Sequence, residues 1–165
     1  MKKSLFLLLF IFLNHSLSSQ EKKDEVTAYF NQFLTVESQF KLIEKSLPTL
    51  EECEQVFIEE NAKIYFDAIQ EVKQVISKIL SEKDMTTFVK VTYQQFSSND
   101  AKSKDGRNSF GMSRIKDVLK SNITFYLVTY KDANGSDSKQ SPFKFFVKLN
   151  GKWLFFPKPT KVFKN

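Results

Sequence analysis

The spacing of apolar residues changes near Asp84, and this change constrains the fold more than any other feature of the sequence. Between residues 20 and 83 apolar residues recur every three or four positions, which is typical of amphipathic helices. After Asp84 they alternate with polar residues, which is typical of half-buried strands. The sequence therefore predicts an α+β fold, with two or three N-terminal helices packed on a curved antiparallel sheet of about four strands.

The helical half divides at Pro48 and again near Glu59. The first segment carries one apolar stripe, which predicts a helix of about six turns: Val26, Tyr29, Phe33, Val36, Phe40, Ile43 and Leu47. Thr49 followed by Glu52 forms a capping box, so a second helix is expected to begin at Leu50. The pattern breaks at Glu59, and a new stripe then predicts either a third helix or a kink in the second.

The second half predicts four strands, at residues 88–96, 122–130, 143–149 and 152–156, and a short helix at 113–120. Val89, Val91 and Tyr93 are expected on one side of the first strand. Asn150-Gly151 is the strongest short-range signal for a hairpin with a two-residue turn. This turn fixes the register of the last two strands, from Leu149 opposite Lys152 to Phe146 opposite Phe155.

The register places large apolar residues on both faces of the hairpin. The first face is expected to pack on the helices and carries Phe143, Phe145, Val147, Leu149, Leu154 and Phe156. The second face carries Phe146, Trp153 and Phe155 beside Lys144 and Lys148.

The aromatic residues Phe146, Trp153 and Phe155 are the candidate binding residues, because apolar side chains on this second face need a cover. A second small core, a homodimer face and a groove for a ligand or partner all remain open. Burial within the monomer is favoured, since two polar loops, at 97–108 and 132–141, are long enough to fold over the face.

The N-terminus has the layout of a secretory signal peptide. Lys2 and Lys3 precede nine consecutive apolar residues at 5–13, too few for a membrane span, which needs ~20. The sequence predicts a signal peptide over residues 1–19, cleaved between residues 18 and 20. It further predicts one domain over residues 20–165 of a secreted or periplasmic protein, with no membrane span after cleavage.

Cleavage removes the only histidine, His15, and leaves Cys53 as the single thiol. Nucleophile systems that use histidine, and zinc sites rich in His or Cys, need more imidazoles or thiols than remain. The sequence therefore predicts no catalytic residue, no metal ligand and no cofactor. Cys53 is expected to be a small buried hydrophobic residue.

Charge is distributed unevenly along the chain. Residues 20–83 carry 13 acidic and 8 basic residues, whereas residues 84–165 carry 6 acidic and 15 basic residues. The basic half would suit an anionic surface such as polysaccharide or phospholipid, and a solvated basic face is the simpler interpretation. Nucleic acid is disfavoured because only Arg107 and Arg114 among these bases are arginines.

Helices followed by a meander that ends in the hairpin from Phe145 to Phe156, with Asn150-Gly151-Lys152-Trp153 at its turn, resemble the NTF2-like (cystatin-like α+β roll) superfamily. Secreted bacterial members often have a signal peptide, two or three helices and such a hairpin. The resemblance implies a cone, inside which catalytic members commonly use an Asp or Tyr pair or a His-Asp pair. The mature chain lacks the histidine and shows no acidic pair at inward strand positions.

The main hypothesis is a non-catalytic secreted small domain that binds an apolar ligand or a protein partner, either a second copy or an envelope protein. One alternative is an NTF2-like pocket enzyme that uses carboxylate and tyrosine chemistry beneath Tyr93, Tyr126 or Tyr130. Another is an accessory subunit of an envelope complex. A cavity of ~300 Å³ or more with a carboxylate inside would favour the enzyme.

Overall fold

The computed structural model describes residues 24–34, 42–82, 88–99, 112–131, 133–135 and 145–163. Its helices are α1 (residues 24–31), α2 (residues 42–46), α3 (Leu50–Val56), α4 (Glu59–Glu82) and α5 (Pro159–Val162). Its strands are β1 (Lys90–Ser97), β2 (Thr124–Lys131), β3 (Phe145–Leu149) and β4 (Lys152–Phe155). The helices α1 to α4 precede the four-stranded antiparallel sheet, so the predicted α+β class is confirmed. The predicted signal peptide and most of both polar loops lie outside the described residues.

The predicted start of the second helix is confirmed. The Glu52 backbone N–H donates to Thr49 Oγ1 at 3.2 Å, and the Thr49 backbone N–H donates to Glu52 Oε2 at 2.8 Å. These two bonds satisfy backbone donors that have no partner inside the helix. The first predicted helix is less regular than expected, because a 3-10 turn replaces α-helical geometry at Gln32–Leu34.

The break near Glu59 separates two helices, α3 and α4, so the prediction of a third helix is confirmed. Phe57 leaves the helical path with extended backbone. The neighbouring backbone then bonds to the end of the 3-10 helix Met112–Val118: Ile58 N–H donates to the Val118 carbonyl at 3.0 Å, and Lys120 N–H donates to the Val56 carbonyl at 2.9 Å. The predicted α-helix at 113–120 is therefore a 3-10 helix that ties the helical half to the sheet half.

The sheet has the order β1-β2-β3-β4, with every neighbouring pair antiparallel. The predicted hairpin register is confirmed from Leu149 opposite Lys152 to Phe146 opposite Phe155. Asn150 and Gly151 both have positive φ, 50° and 80°, which is the backbone that a two-residue turn of this twist requires. The sequence signal and the backbone geometry therefore agree at this turn.

The first core lies between the α3–α4 pair and one face of the sheet. Its fully buried residues include Phe57, Tyr65, Phe125 and Phe156. The Tyr65 hydroxyl donates to the Pro157 carbonyl at 3.0 Å, so the largest ring in this core has a hydrogen-bond partner. This face of the hairpin packs on helices, as the sequence predicts.

The second core lies on the opposite face of the sheet, beneath α1 and α2. Val26, Phe30, Phe33 and Ile43 come from the helical half and are 0 to 5% exposed. The helices are therefore divided between the two faces of the sheet instead of packing on one. Phe30, which lies outside the predicted stripe, is a central residue because it lies four positions after Val26 and three before Phe33 and so shares their buried face.

The alternation expected in β1 does not include Val89. Val89 is 57% exposed, whereas Val91 is 8% exposed and joins the second core. Val89 lies one residue before the strand begins at Lys90, so the alternation expected from the sequence does not extend to it. Among the described residues, no helix is long and apolar enough to cross a membrane.

Candidate functional site

The candidate binding residues Phe146, Trp153 and Phe155 lie in the second core and are 0%, 8% and 1% exposed. The favoured expectation, burial within the monomer, is confirmed. In the described part of the chain α1 covers the face, with Tyr29 stacked on Trp153 at 4.9 Å between ring centroids. Most of the two loops that were expected to cover it lies outside the described residues. Phe30 adds edge-to-face contacts to Phe146 and Trp153 at 5.1 and 5.0 Å.

Because α1 lies over β3 and β4, it leaves the same face of β1 and β2 partly open. This opening, which we call the β1–β2 cleft, has a volume of about 970 Å³. Its lining combines residues of α1 with residues of the three neighbouring strands: Glu25, Val26, Thr27, Val91, Thr92, Tyr93, Gln95, Thr124, Tyr126 and Lys148. Of the described helices, only α1 contributes residues to this lining.

Aromatic rings form the boundary between the cleft and the second core. Phe30 lies 5.9 Å from Tyr93 and 6.3 Å from Tyr126, measured between ring centroids. Tyr126 also meets Trp153 edge-on at 4.7 Å. These contacts fix the rings that face the cleft against residues that are already buried.

Tyr93 and Tyr126 bring polar groups to this boundary. Tyr126 is only 9% exposed, and no acceptor or donor for either hydroxyl occurs in the part of the chain that the structure describes. A tyrosine hydroxyl can both donate and accept a hydrogen bond. The two hydroxyls, together with Gln95 and Thr124, therefore offer hydrogen-bonding groups beside an apolar surface.

One ion pair closes part of the cleft. Lys148 Nζ lies 2.5 Å from Glu25 Oε1 and 5.5 Å from the centroid of the Trp153 ring. The Lys148 side chain is 26% exposed, whereas the Glu25 side chain is 60% exposed. The lysine is thus held against an aromatic ring, and its carboxylate partner remains largely in water.

The position of α1 depends on a buried hydrogen-bond chain to α2. The Tyr29 hydroxyl lies 3.1 Å from Ser46 Oγ, and Ser46 Oγ donates to the Leu42 carbonyl at 2.5 Å. Ser46 is 3% exposed. Burial raises the pKa of Tyr29, and the hydrogen bond with Ser46 opposes that shift. A neutral hydroxyl that anchors α1 is the role this arrangement supports.

Two further buried titratable groups, Cys53 and Tyr130, do not line the cleft. Burial, followed by the nearby carboxylates of Glu52 and Glu54, raises the pKa of the Cys53 thiol to about 12. Cys53 is fully buried, as predicted. Burial also raises the pKa of Tyr130 above its usual range, and its hydroxyl has no partner among the described residues. Both groups are kept neutral by their surroundings.

The sequence identified some of these residues and missed others. Of the tyrosines named for the enzyme alternative, Tyr93 and Tyr126 line the cleft, whereas Tyr130 does not. Tyr126 and Tyr130 both belong to the second core. The hairpin register placed Lys148 on the correct face. Glu25 was missed, because nothing local shows that the start of α1 meets β3 across 123 positions of sequence.

No cluster of three or more His, Cys, Asp or Glu side chains with metal-binding geometry occurs within the described ranges. The chain matches no protein-family model, no curated protein sequence and no solved structure at a significant level. The resemblance to the NTF2-like superfamily therefore stays a prediction.

Proposed function

We propose that this protein is a non-catalytic binding domain whose β1–β2 cleft takes a small molecule with an apolar part. The observation that carries the proposal is the division of one sheet face. Among the described residues, α1 closes the half over β3 and β4, whereas the half over β1 and β2 is partly open and lined by Tyr93 and Tyr126.

The size and lining of the cleft support this function. Small-molecule sites usually have volumes of ~300–1,000 Å³, with a mostly apolar lining and a few placed polar groups. At about 970 Å³ the cleft lies within that range. Val91 and the two tyrosine rings supply apolar surface, while Gln95 and Thr124 supply hydrogen-bonding groups.

The enzyme alternative has weaker support. The volume of the cleft exceeds ~300 Å³, and among the described residues its lining includes one carboxylate, that of Glu25. That carboxylate is 60% exposed and paired with Lys148. A general acid or base usually lies in a site that is shielded from water, and an exposed, paired carboxylate lacks that environment.

A matched pair of variants on β1 tests the proposal. Gln95 lines the cleft, and its neighbour Gln94 lies on the opposite face of the strand; both are exposed. The neutral apolar fluorophore N-phenyl-1-naphthylamine serves as the probe. We expect saturable binding to the wild type, about tenfold weaker binding to Gln95→Arg and unchanged binding to Gln94→Arg.

Equal binding to both variants would place the probe elsewhere and would overturn the proposal, as would no saturable binding to the wild type. Thermal melts of the two variants show whether each is folded. Because the probe is uncharged, its binding does not depend on the ion pair of Glu25 and Lys148.

We also propose that the domain works outside the cytoplasm, as a secreted or periplasmic protein. The support is the N-terminal layout of Lys2, Lys3 and the apolar run at 5–13. If the natural ligand is part of a larger assembly, we propose that the protein partner is an envelope protein or a second copy of this chain. The basic second half would bring the domain towards anionic surfaces.

A further inference from the structure

We infer that the β1–β2 cleft prefers small organic anions, in which a carboxylate is joined to an apolar body. Lys148 would bind the carboxylate, and Glu25 would be displaced from Lys148 when the ligand enters. This inference rests on the proposed function, since it assigns a ligand class to the same cleft.

Lys148 is positioned before any ligand binds. Its side chain is 26% exposed, and its Nζ lies over the Trp153 ring at 5.5 Å. An ammonium group has three donors, and Glu25 accepts from one of them. No second acceptor for Lys148 occurs in the described part of the chain, so donors remain for a ligand.

Glu25 is a weak competitor for this lysine. Its side chain is 60% exposed, and exposed ion pairs contribute little net free energy because water solvates the separated charges. A carboxylate inside the cleft would meet Lys148 in less water and would form a charge-assisted hydrogen bond. Exchange of Glu25 for such a ligand therefore has a small cost and a larger gain.

The apolar body of the ligand has a surface to contact. Val91, Tyr93 and Tyr126 line the same cleft as Lys148. Val91 and Tyr126 are 8% and 9% exposed, so the remaining accessible parts of these side chains face the opening. A molecule with one charged end and one apolar end matches this arrangement, whereas a fully polar ion would leave the aromatic surface in water.

The charge of the surrounding chain favours an anion over a cation. Residues 84–165, which include all four strands, carry 15 basic and 6 acidic residues. A surface with such an excess raises the local concentration of anions. An organic cation would instead be repelled by Lys148 and would have only the hydrated Glu25 to bind.

The experiment compares acids with amides and an amine that share the same apolar body. The probes are 3-phenylpropanoate, 3-phenylpropanamide and 3-phenylpropylamine, with octanoate and octanamide as a second body. Calorimetry on the full mature domain gives the dissociation constants. We expect at least one acid to bind about tenfold or more tightly than its amide, the effect of one hydrogen bond to a charged group.

Variants assign the effect to Lys148. Lys148→Met should abolish the preference for acid over amide, while Lys152→Met should keep it. Lys152 is a matched control because it forms a similar ion pair, 2.7 Å from Glu52, from the opposite face of the hairpin. Glu25→Gln removes the competitor and should tighten binding of the acid by about two- to fivefold.

Equal affinity for acid and amide, tighter binding of the amine, or an acid preference that survives in Lys148→Met would each overturn the inference. Absence of binding by both acids would also overturn it. If the neutral fluorophore still distinguishes Gln95→Arg from Gln94→Arg in that case, the cleft remains a binding site and only the ligand class is wrong.

Discussion

Tyr29 and Trp153 stack with their ring centroids 4.9 Å apart and their planes 12° from parallel. This contact joins the first described helix to the last strand of the sheet. Tyr29 is in turn held by Ser46 of α2, so the helix, the hairpin and the second helix form one packed unit. The position of α1, and with it the opening of the cleft, depends on this unit.

Tyr29→Leu should lower the free energy of unfolding by about 1 kcal/mol, because an aromatic pair contributes ~0.5–1.5 kcal/mol beyond its buried area. Trp153 is the only tryptophan in the chain and is 8% exposed. Its emission maximum should therefore move to longer wavelength as water reaches the ring. Urea titration followed by fluorescence measures both effects, and an unchanged emission spectrum would contradict the described position of α1.

Phe155→Ala should cost about 3–5 kcal/mol of stability, since the side chain is 1% exposed and its removal leaves a cavity. Val89→Ala, at a side chain that is 57% exposed, should change stability by less than about 0.5 kcal/mol. Thermal melts compare the two. If Phe155→Ala is as stable as Val89→Ala, the aromatic face of the hairpin is a contact surface. That result would contradict the burial of Phe155 in the second core.

The fold should lose stability in alkaline solution. Burial raises the pKa of Cys53 to about 12 and raises that of Tyr65 well above its usual range. The native state holds these protons more tightly than the unfolded chain, where a thiol titrates at about 8.5. The stabilisation is complete below that pH and is lost as the pH rises through the native pKa values.

Urea midpoints measured from pH 8 to pH 12 should therefore fall steadily. Cys53→Ala removes one of the raised groups and should make the midpoint less dependent on pH, although its value at pH 8 is lower. A wild-type midpoint that is constant over this range would argue against burial of these groups.

Export should remove the N-terminal 18 or 19 residues. The layout of two lysines, nine apolar residues and a short polar segment is that of a cleavable signal. Mass spectrometry of protein recovered from an expressing bacterial cell identifies the mature N-terminus. Recovery of the chain with Met1 intact, from the cytosol, would be inconsistent with export.

Local signals predicted the parts of the fold that depend on neighbouring residues. The Asn150-Gly151 turn determined the hairpin register, and the Thr49–Glu52 capping box located the start of α3. The change in the spacing of apolar residues near Asp84 was sufficient to distinguish the helical half from the sheet half. These features are local because backbone geometry and nearby hydrogen bonds decide them.

The division of the helices between the two sheet faces was not predictable in the same way. Phe30 lies outside the apolar stripe, and its burial against Phe146 depends on a contact across 116 positions of sequence, at 5.1 Å between ring centroids. The cleft depends on which strands α1 leaves uncovered. Such outcomes result from competition among long-range packings, which periodicity does not distinguish.

The β1–β2 cleft is the central claim, and NMR titration of the isotope-labelled domain with the neutral probe N-phenyl-1-naphthylamine tests it most directly. The account predicts that the largest backbone amide shifts occur at Val91, Tyr93, Thr124, Tyr126 and Lys148, and that Gln95→Arg needs about tenfold more probe to reach the same shifts. The small pocket between Leu47 and Gln70, with a volume of about 210 Å³, provides an internal comparison. Shifts centred on that pocket, or none at all, would contradict the account.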